Sequence, residues 1–426
     1  MANRSTYVAP AHTIALILAG GRGSRLYELT DRRSKPAVYF GGNYRLIDFA
    51  LSNCVNSGIR RIAVATQYKS HSLLRHINQA WSFLQPTVNE FVDLLPAQQR
   101  VDENSWYRGT ADAVYQNIDI LQSYRPFPKY VIILAGDHIY KMNYSVMLSE
   151  HIASGAECTV ACIEVPRNDA KGFGVMAVDK TGKIIRFVEK PADPPPMPGN
   201  PDKSLCSMGI YVFNADYLFD ALVRDMHKEN TSHDFGKDII PEAVAKGVAM
   251  SHAFSGSCVH GVGEPDNQED YWRDVGTIDS FWEANIDLTH TVPKLNLYDS
   301  AWPIWTAQPQ LPPAKFVHNE GDRRGIAIES IVTNGCLISG ELYHSIIGSG
   351  CRIHSHAKVH WTILAPRVVV GPGAYLNRCI VDSGVVIPSG MVIGVDANED
   401  ARHFRRSPTG ITLVTRDMMM ALENNR

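Results

Sequence analysis

The chain has 426 residues, 45% hydrophobic and 20% charged, ordinary globular usage with room for two or three domains of about 100–200 residues each. Its 41 basic and 44 acidic residues leave a net charge of −3, so no global field draws it to nucleic acid or a membrane surface, and anion binding must come from local clusters. The polar stretch over residues 1–12 lacks a signal-peptide core, and no apolar run reaches the ~20 residues a spanning helix needs. The eight cysteines show no CxxC pair and no His/Cys spacing suited to zinc. Cys158 and Cys162 read as reduced side chains on a buried strand, and a cytoplasmic protein is the expectation.

In chain order, residues 14–19 (IALILA) are continuously apolar and stop at Gly20-Gly21. Residues 61–66 and 130–135 repeat the pattern, the latter ending at Gly136-Asp137. Runs this short and apolar on both faces predict central strands of a parallel sheet covered by helices. Residues 43–57 and 110–121 carry helix-spaced apolar residues between them. The fold class is therefore α/β, a Rossmann-like doubly wound, mostly parallel sheet, with ligands expected at the carboxyl ends of its strands. Residues 191–202 (PADPPPMPGNPD) can only be a surface loop, because proline spoils both helix and inner strand.

A second proline-rich shift marks a linker over 291–325, dividing a domain of residues 1–290 from one of 326–426. There the period changes. Ile347, Ile353 and Val359 are six apart, and Ile363, Val369, Tyr375, Val381, Ile387 and Ile393 form a second six-residue run. A six-residue repeat with an aliphatic at a fixed place predicts a parallel β-helix. The slip between Val359 and Ile363 marks an irregular coil, and a β-sandwich would show period two instead.

Several residues carry chemistry. In Gly20-Gly21-Arg22-Gly23-Ser24-Arg25, glycines let backbone N–H groups approach a phosphate chain. The run is neither GxGxxG nor a P-loop, and alone it also fits a plain tight turn. Arg25 and Lys35 place fixed positive charge beside it, although residues 32–35 also read as a solvated surface. Asp137 ends a strand and can hold Mg²⁺, which prefers hard oxygen ligands, with Asp274 as a second ligand. Either aspartate alone also fits a cap or turn. Glu189-Lys190 offers an acceptor for sugar hydroxyls beside a cation for phosphate, or else a salt-bridged strand end.

In this order the motifs LAGGRGSRL (18–26), SKPAVYFGG (34–42), YRLIDFALSN (44–53), WYRGTADAV (106–114) and LAGDHIY (134–140) resemble the sugar nucleotidyltransferase family. FGVM (173–176), FVEKP (187–191), SMGIYVF (207–213) and DFGKDIIP (234–241) continue it. GTADAV, YWRDVGT (271–277) and PPAKFV (312–317) narrow the resemblance to the branch that transfers adenylyl groups. The resemblance implies a left-handed β-helix and Mg²⁺-dependent synthesis of ADP-glucose, for bacterial glycogen, from ATP and glucose 1-phosphate. It implies Arg25, Lys35 and Asp137 as catalytic residues and Asp137 and Asp274 as metal ligands. Tyr107, Gly174, Glu189, Lys190 and Ser207 would surround glucose 1-phosphate, and Gly20, Gly21, Gly23, Gly109 and Thr110 the nucleotide.

Members of this branch are homotetramers with an effector pocket between the two domains. The matching positions are Arg32, Arg33, Tyr39, Arg45, Arg378 and Arg416. Members activated by fructose 1,6-bisphosphate carry lysine, histidine and arginine where this chain has Arg32, Tyr39 and Met420. Fructose 6-phosphate or pyruvate is therefore favoured as activator, with AMP, ADP or phosphate as inhibitor. The competing readings are a UTP- or dTTP-dependent relative, a regulatory subunit without catalysis, and an acyltransferase. The last would draw on His344, His354, His356 and His360, which read more simply as exposed turn residues.

Overall fold

Aliphatic runs without polar alternation must be covered on both faces, and three of them form the middle of one sheet in the computed structural model. The structure describes residues 10–21, 23–97, 107–197, 199–261 and 269–424; Arg22 and Trp106 of the quoted motifs lie outside them. Strand β1 (Thr13–Leu18) pairs in parallel with β2 (Arg61–Thr66) and β4 (Tyr130–Ala135), and β3 (Phe91–Pro96) extends the parallel side beyond β2. Successive β1 residues serve opposite layers, as a period of two demands. Ala15 and Ile17 face one core with Ile47 and Leu51, while Ile14 and Leu16 face another with Val131 and Leu218.

Beyond β4 the sheet becomes antiparallel. Strand β9 (Lys203–Asn214) pairs with β4, with β6 (Cys158–Pro166) and with β7 (Gly174–Val178), and β8 (Ile184–Glu189) closes that edge. Strand β10 (Ala249–Ala253) lies parallel to β6. Cys158 and Cys162 are buried free thiols on β6. The β9 register shifts between Ser207 and Tyr211, where Gly209 adopts φ 70°. This irregularity breaks the β9 register where residues 207–209 line a cavity.

A short antiparallel ribbon lines the same cavity. Strand β5 (His138–Tyr140) pairs with β11 (Trp272–Asp274) so that Asp274 lies opposite His138. Of the expected helices, 43–57 becomes α1 (Leu46–Asn56). The stretch 110–121 splits into Thr110–Tyr115 and Ile118–Ser123. At the break, the Asn117 amide donates to the Ala113 carbonyl at 2.8 Å and the Tyr107 hydroxyl at 3.0 Å. Apolar spacing runs on across such a break and could not reveal it.

The connecting segment is strapped to the sheet domain. Trp302 Nε1 donates to Asn53 at 2.9 Å and the Trp305 N–H to Ser52 at 2.8 Å. Thr306 donates to Asp48 at 2.7 Å. Asp48 is fully buried and also caps α1 through the Arg45 N–H at 2.8 Å, so its charge is met by hydrogen bonds.

The C-terminal domain is a parallel β-helix with three strands per coil, its first strand being Lys315–Phe316. Ile347, Leu364 and Val381 are successive partners, seventeen residues per coil. The interior positions are Ile347, Ile353, Val359, Leu364, Val370, Leu376, Val381, Ile387 and Ile393. From Ile347 to Val381, each coil therefore has two six-residue sides and one of five, whereas the preceding coil, Val332 to Ile347, has fifteen residues. This corrects the expected second run. Ile363, Val369 and Tyr375 lie one residue out of phase with the interior, and the run rejoins it at Val381 only because the five-residue side recurs. Ile363 instead points with Ile346 and Ile380 at the sheet domain, packing against Phe281 and Trp282 of α2 (Ile278–Asp287). His344 is corrected likewise: it is buried and stacked on Trp361 at 4.1 Å, whereas His354 and His356 are exposed. Among the described residues no helix is long and apolar enough to cross a membrane.

Candidate active site

A cavity of about 850 Å³ opens at the carboxyl ends of β1 and β4, under the β5–β11 ribbon. Asp137 follows β4, and β11 delivers Asp274 opposite the neighbouring His138, so strand pairing alone puts two carboxylates side by side. Between them stands Lys35, 5% exposed, with Nζ at 2.9 Å from Asp137 and 2.8 Å from Asp274. Burial works against the ammonium, yet the two carboxylates outweigh it and hold the Lys35 pKa above its ordinary value. Burial likewise works to raise the Asp137 pKa, but Lys35 and His138 hold it below the usual carboxylate range. Asp137, His138 and Asp274 present ligand atoms all within 4.8 Å of one another. Two carboxylates at one cavity wall suit a divalent cation, and the arrangement fits one.

Gly20, Gly21 and Arg25 line the cavity beside this trio. The Arg25 guanidinium is 68% exposed and only 3.6 Å from Asp274, leaving it facing the cavity. Gly23 lies off the wall. At φ 63° it packs on the Lys35 stem, where a Cβ would come within 2.8 Å of Lys35 Cβ. Its role in this geometry is to let Lys35 pass under the turn.

On the opposite wall Glu189 sits on two glycines. A Cβ at Gly174 would meet Phe187 Cζ at 2.4 Å and Glu189 Oε2 at 2.8 Å; one at Gly236 would meet Glu189 Oε2 at 2.6 Å. Lys190, with φ 47°, turns its ammonium to 3.3 Å from Glu189. Ser207 stands at the β9 irregularity, and Tyr107, Gly109 and Thr110 complete the wall. Gly109 is a packing requirement as well, since a Cβ would meet the His233 carbonyl at 2.2 Å.

The cavity also holds residues to which no role was given above. Asp234 accepts from Thr110 Oγ1 at 2.9 Å and caps the turn Phe235–Ile239 through the Gly236 N–H at 2.9 Å. Its sequence signal, an aspartate before an apolar run, is that of any helix cap. Trp272 Nε1 and His138 Nδ1 are buried without a hydrogen-bond partner among the described residues, and both side chains line the cavity. The Trp272 indole N–H is a donor and His138 Nδ1 a donor or acceptor according to tautomer, so either can meet a ligand group. Nothing in the local sequence marks them.

The six interdomain positions are only partly gathered. Arg32, Arg33 and Arg416 line a cavity of about 110 Å³ together with Arg367, which sequence reading missed. Arg33 forks onto Asp382 at 2.7 and 3.0 Å, and Arg32 pairs with Asp417. Arg45 is buried under Tyr39, 4.4 Å from its ring centroid, and donates to its hydroxyl at 3.2 Å. Arg378 lies over Trp282 at 4.7 Å. Tyr39, Arg45 and Arg378 thus stand outside that cavity.

Comparison with known proteins agrees with this architecture. A nucleotidyl transferase family model matches residues 14–291, and a GlmU-like C-terminal hexapeptide model matches residues 312–414. A glucose-1-phosphate adenylyltransferase of Bradyrhizobium diazoefficiens is 58% identical over 407 residues, 95% of this chain and 96% of that protein. That of Granulibacter bethesdensis is 58% identical over 408 residues, covering 96% and 97%. That of Francisella tularensis subsp. holarctica is 56% identical over 412 residues, 96% of each. With relatives this similar along nearly the whole chain, the protein belongs to the glucose-1-phosphate adenylyltransferase family of nucleotidyltransferases.

Proposed function

We propose that the chain transfers the adenylyl group of ATP to α-D-glucose 1-phosphate, giving ADP-glucose and diphosphate, with Mg²⁺ as its metal. The observation that carries this reading is the pairing of Asp137 and Asp274 around Lys35 at the end of the glycine turn, inside a cavity large enough for two substrates. A phosphate oxygen of glucose 1-phosphate attacks the α-phosphorus of ATP as the bond to the β-phosphate oxygen breaks. The nucleophile is already ionised, so positioning and charge neutralisation are the tasks left to the protein. Asp137 and Asp274 would hold Mg²⁺, which when bound would supply positive charge to phosphate oxygens. Arg25 meets the leaving diphosphate, and Lys35 keeps the two carboxylates oriented. Lys190 takes the sugar phosphate, Glu189 and Ser207 the glucose hydroxyls, and the Trp272 N–H gains its missing acceptor.

The same reading makes the Arg32, Arg33 and Arg416 cavity an effector site, with fructose 6-phosphate or pyruvate as activator and AMP, ADP or phosphate as inhibitor. A homotetramer belongs to it too, supported by the exposed Leu337, Val386 and Val392 on the β-helix. Diphosphate release from glucose 1-phosphate with each of ATP, UTP, GTP and dTTP, with and without these metabolites, tests the proposal. ATP-specific, metabolite-sensitive release supports it; release with UTP or dTTP alone sinks it. Light scattering of the purified protein tests the tetramer.

A further inference from the structure

We propose that Cys258, His260 and Asp270 form a second metal site, apart from Asp137 and Asp274, that takes zinc. Their ligand atoms all lie within 4.8 Å of one another, and His260 Nε2 is 3.3 Å from Asp270 Oδ1. Zinc bonds of about 2.0–2.3 Å to nitrogen, oxygen and sulfur put tetrahedral ligands about 3–4 Å apart. The His260–Asp270 separation already falls in that range.

The backbone under these ligands is anchored on both sides. Cys258 forms a β-bridge with Met142, its N–H donates to the Phe254 carbonyl at 2.7 Å, and the Val259 N–H donates to Lys141 at 3.2 Å. Asp270 stands just before β11, which is itself paired to β5. Sequence reading passed over the set because only Cys258 and His260 are close in the chain; the strand pairing brings up Asp270.

The chemistry selects the metal. Thiolate, imidazole and carboxylate together are a zinc donor set with a fourth position left for water, and sulfur discriminates against Mg²⁺. A cavity of about 10 Å³ lies beside Cys258 and His260, the size of one water or one bare ion. Lys141 and Lys294 share its wall, but each is paired with a carboxylate, Asp299 and Glu269, at 3.1 Å. Neither turns an uncompensated charge on the ion. Zinc joining Cys258 to Asp270 would brace the start of the strand that delivers Asp274.

Cobalt titration of the chelator-treated full chain, in saturating Mg²⁺, tests the site. The other seven cysteines are buried, and the Asp137–Asp274 site has no sulfur. A thiolate-to-cobalt charge-transfer band therefore reports on Cys258. The expected results are such a band in the unaltered protein, its displacement by zinc, and its loss in Cys258→Ser. His260→Ala and Asp270→Asn should weaken cobalt binding at least ~10-fold, which keeps the test valid if Cys258→Ser misfolds. No charge-transfer band at saturating cobalt, or a band unchanged in all three variants, overturns the proposal.

Discussion

Basic side chains gather at two places in this molecule, and their partners set them apart. In the cavity Arg25 and Lys190 are 68% and 63% exposed and loosely held, at 3.6 and 3.3 Å from single carboxylates. At the domain junction Arg33 forks onto Asp382 with both side chains largely buried, while Arg32 meets Asp417 and Arg405 meets Glu28. These three pairs each join the sheet domain to the β-helix. Of these pairs, those in the cavity are exposed and loose, whereas those at the junction are close and tie the two domains together. An anion entering the junction cavity would meet Arg32 and Arg33 already paired, so its binding there would compete with contacts that hold the domains together.

The largest effect is expected where cavity charge is removed. Asp137→Asn should keep the fold, seen by circular dichroism, and lose at least ~10²-fold in turnover, a typical cost of one major electrostatic stabiliser. Normal diphosphate release in that variant would take Asp137 out of the reaction. Gly174→Ala comes next, since its Cβ would displace Phe187 and Glu189. Overpacking of this kind costs about 1–3 kcal/mol of stability, and the displaced Glu189 should separately lower kcat/KM about tenfold. The loss should appear in KM for glucose 1-phosphate; a loss in kcat alone would place Glu189 away from the sugar.

Junction variants should act on stability before catalysis. Arg33→Ala leaves the largely buried Asp382 side chain without its fork, a loss of about 1–3 kcal/mol, visible as a lower Tm. An unchanged Tm would mean that water replaces the arginine fully. The smallest effect belongs to Arg405 and Glu28. Burial works to raise the Glu28 pKa, but the Arg405 hydrogen bonds hold it below its ordinary value. The pair's contribution is therefore complete above the unfolded carboxylate pKa of about 4.3 and fades as pH falls through the folded value. Arg405→Ala should cost under ~1 kcal/mol at neutral pH. Its Tm difference from the unaltered protein should close in acid; a difference that grows in acid would refute the pairing.

The central strands were legible because burial on both faces forces an unbroken aliphatic run, as at residues 14–18 and 130–134. The β-helix was legible because stacking one coil on the next repeats an aliphatic at a fixed interval. Its true seventeen-residue coil was not, since Ile363 and Leu364 are equally apolar and only packing against Phe281 and Trp282 decides which faces outward. In the cavity, residues set at strand ends or among glycines could be read from the chain. Asp234 and Trp272 there, and Arg367 at the domain junction, could not, because their place depends on neighbours distant in sequence.

Local sequence by itself determined the central strands, that a glycine turn follows the first, and that Asp137 stands at a strand terminus. Tertiary structure alone decided that Lys35 stands between Asp137 and Asp274, that Gly23 serves Lys35's passage, and that Asp270 meets Cys258 and His260. The reason is physical. Period and propensity act over a few residues and are written into them, whereas the partner of a charge is set by which strands pair, and pairing is a property of the whole sheet.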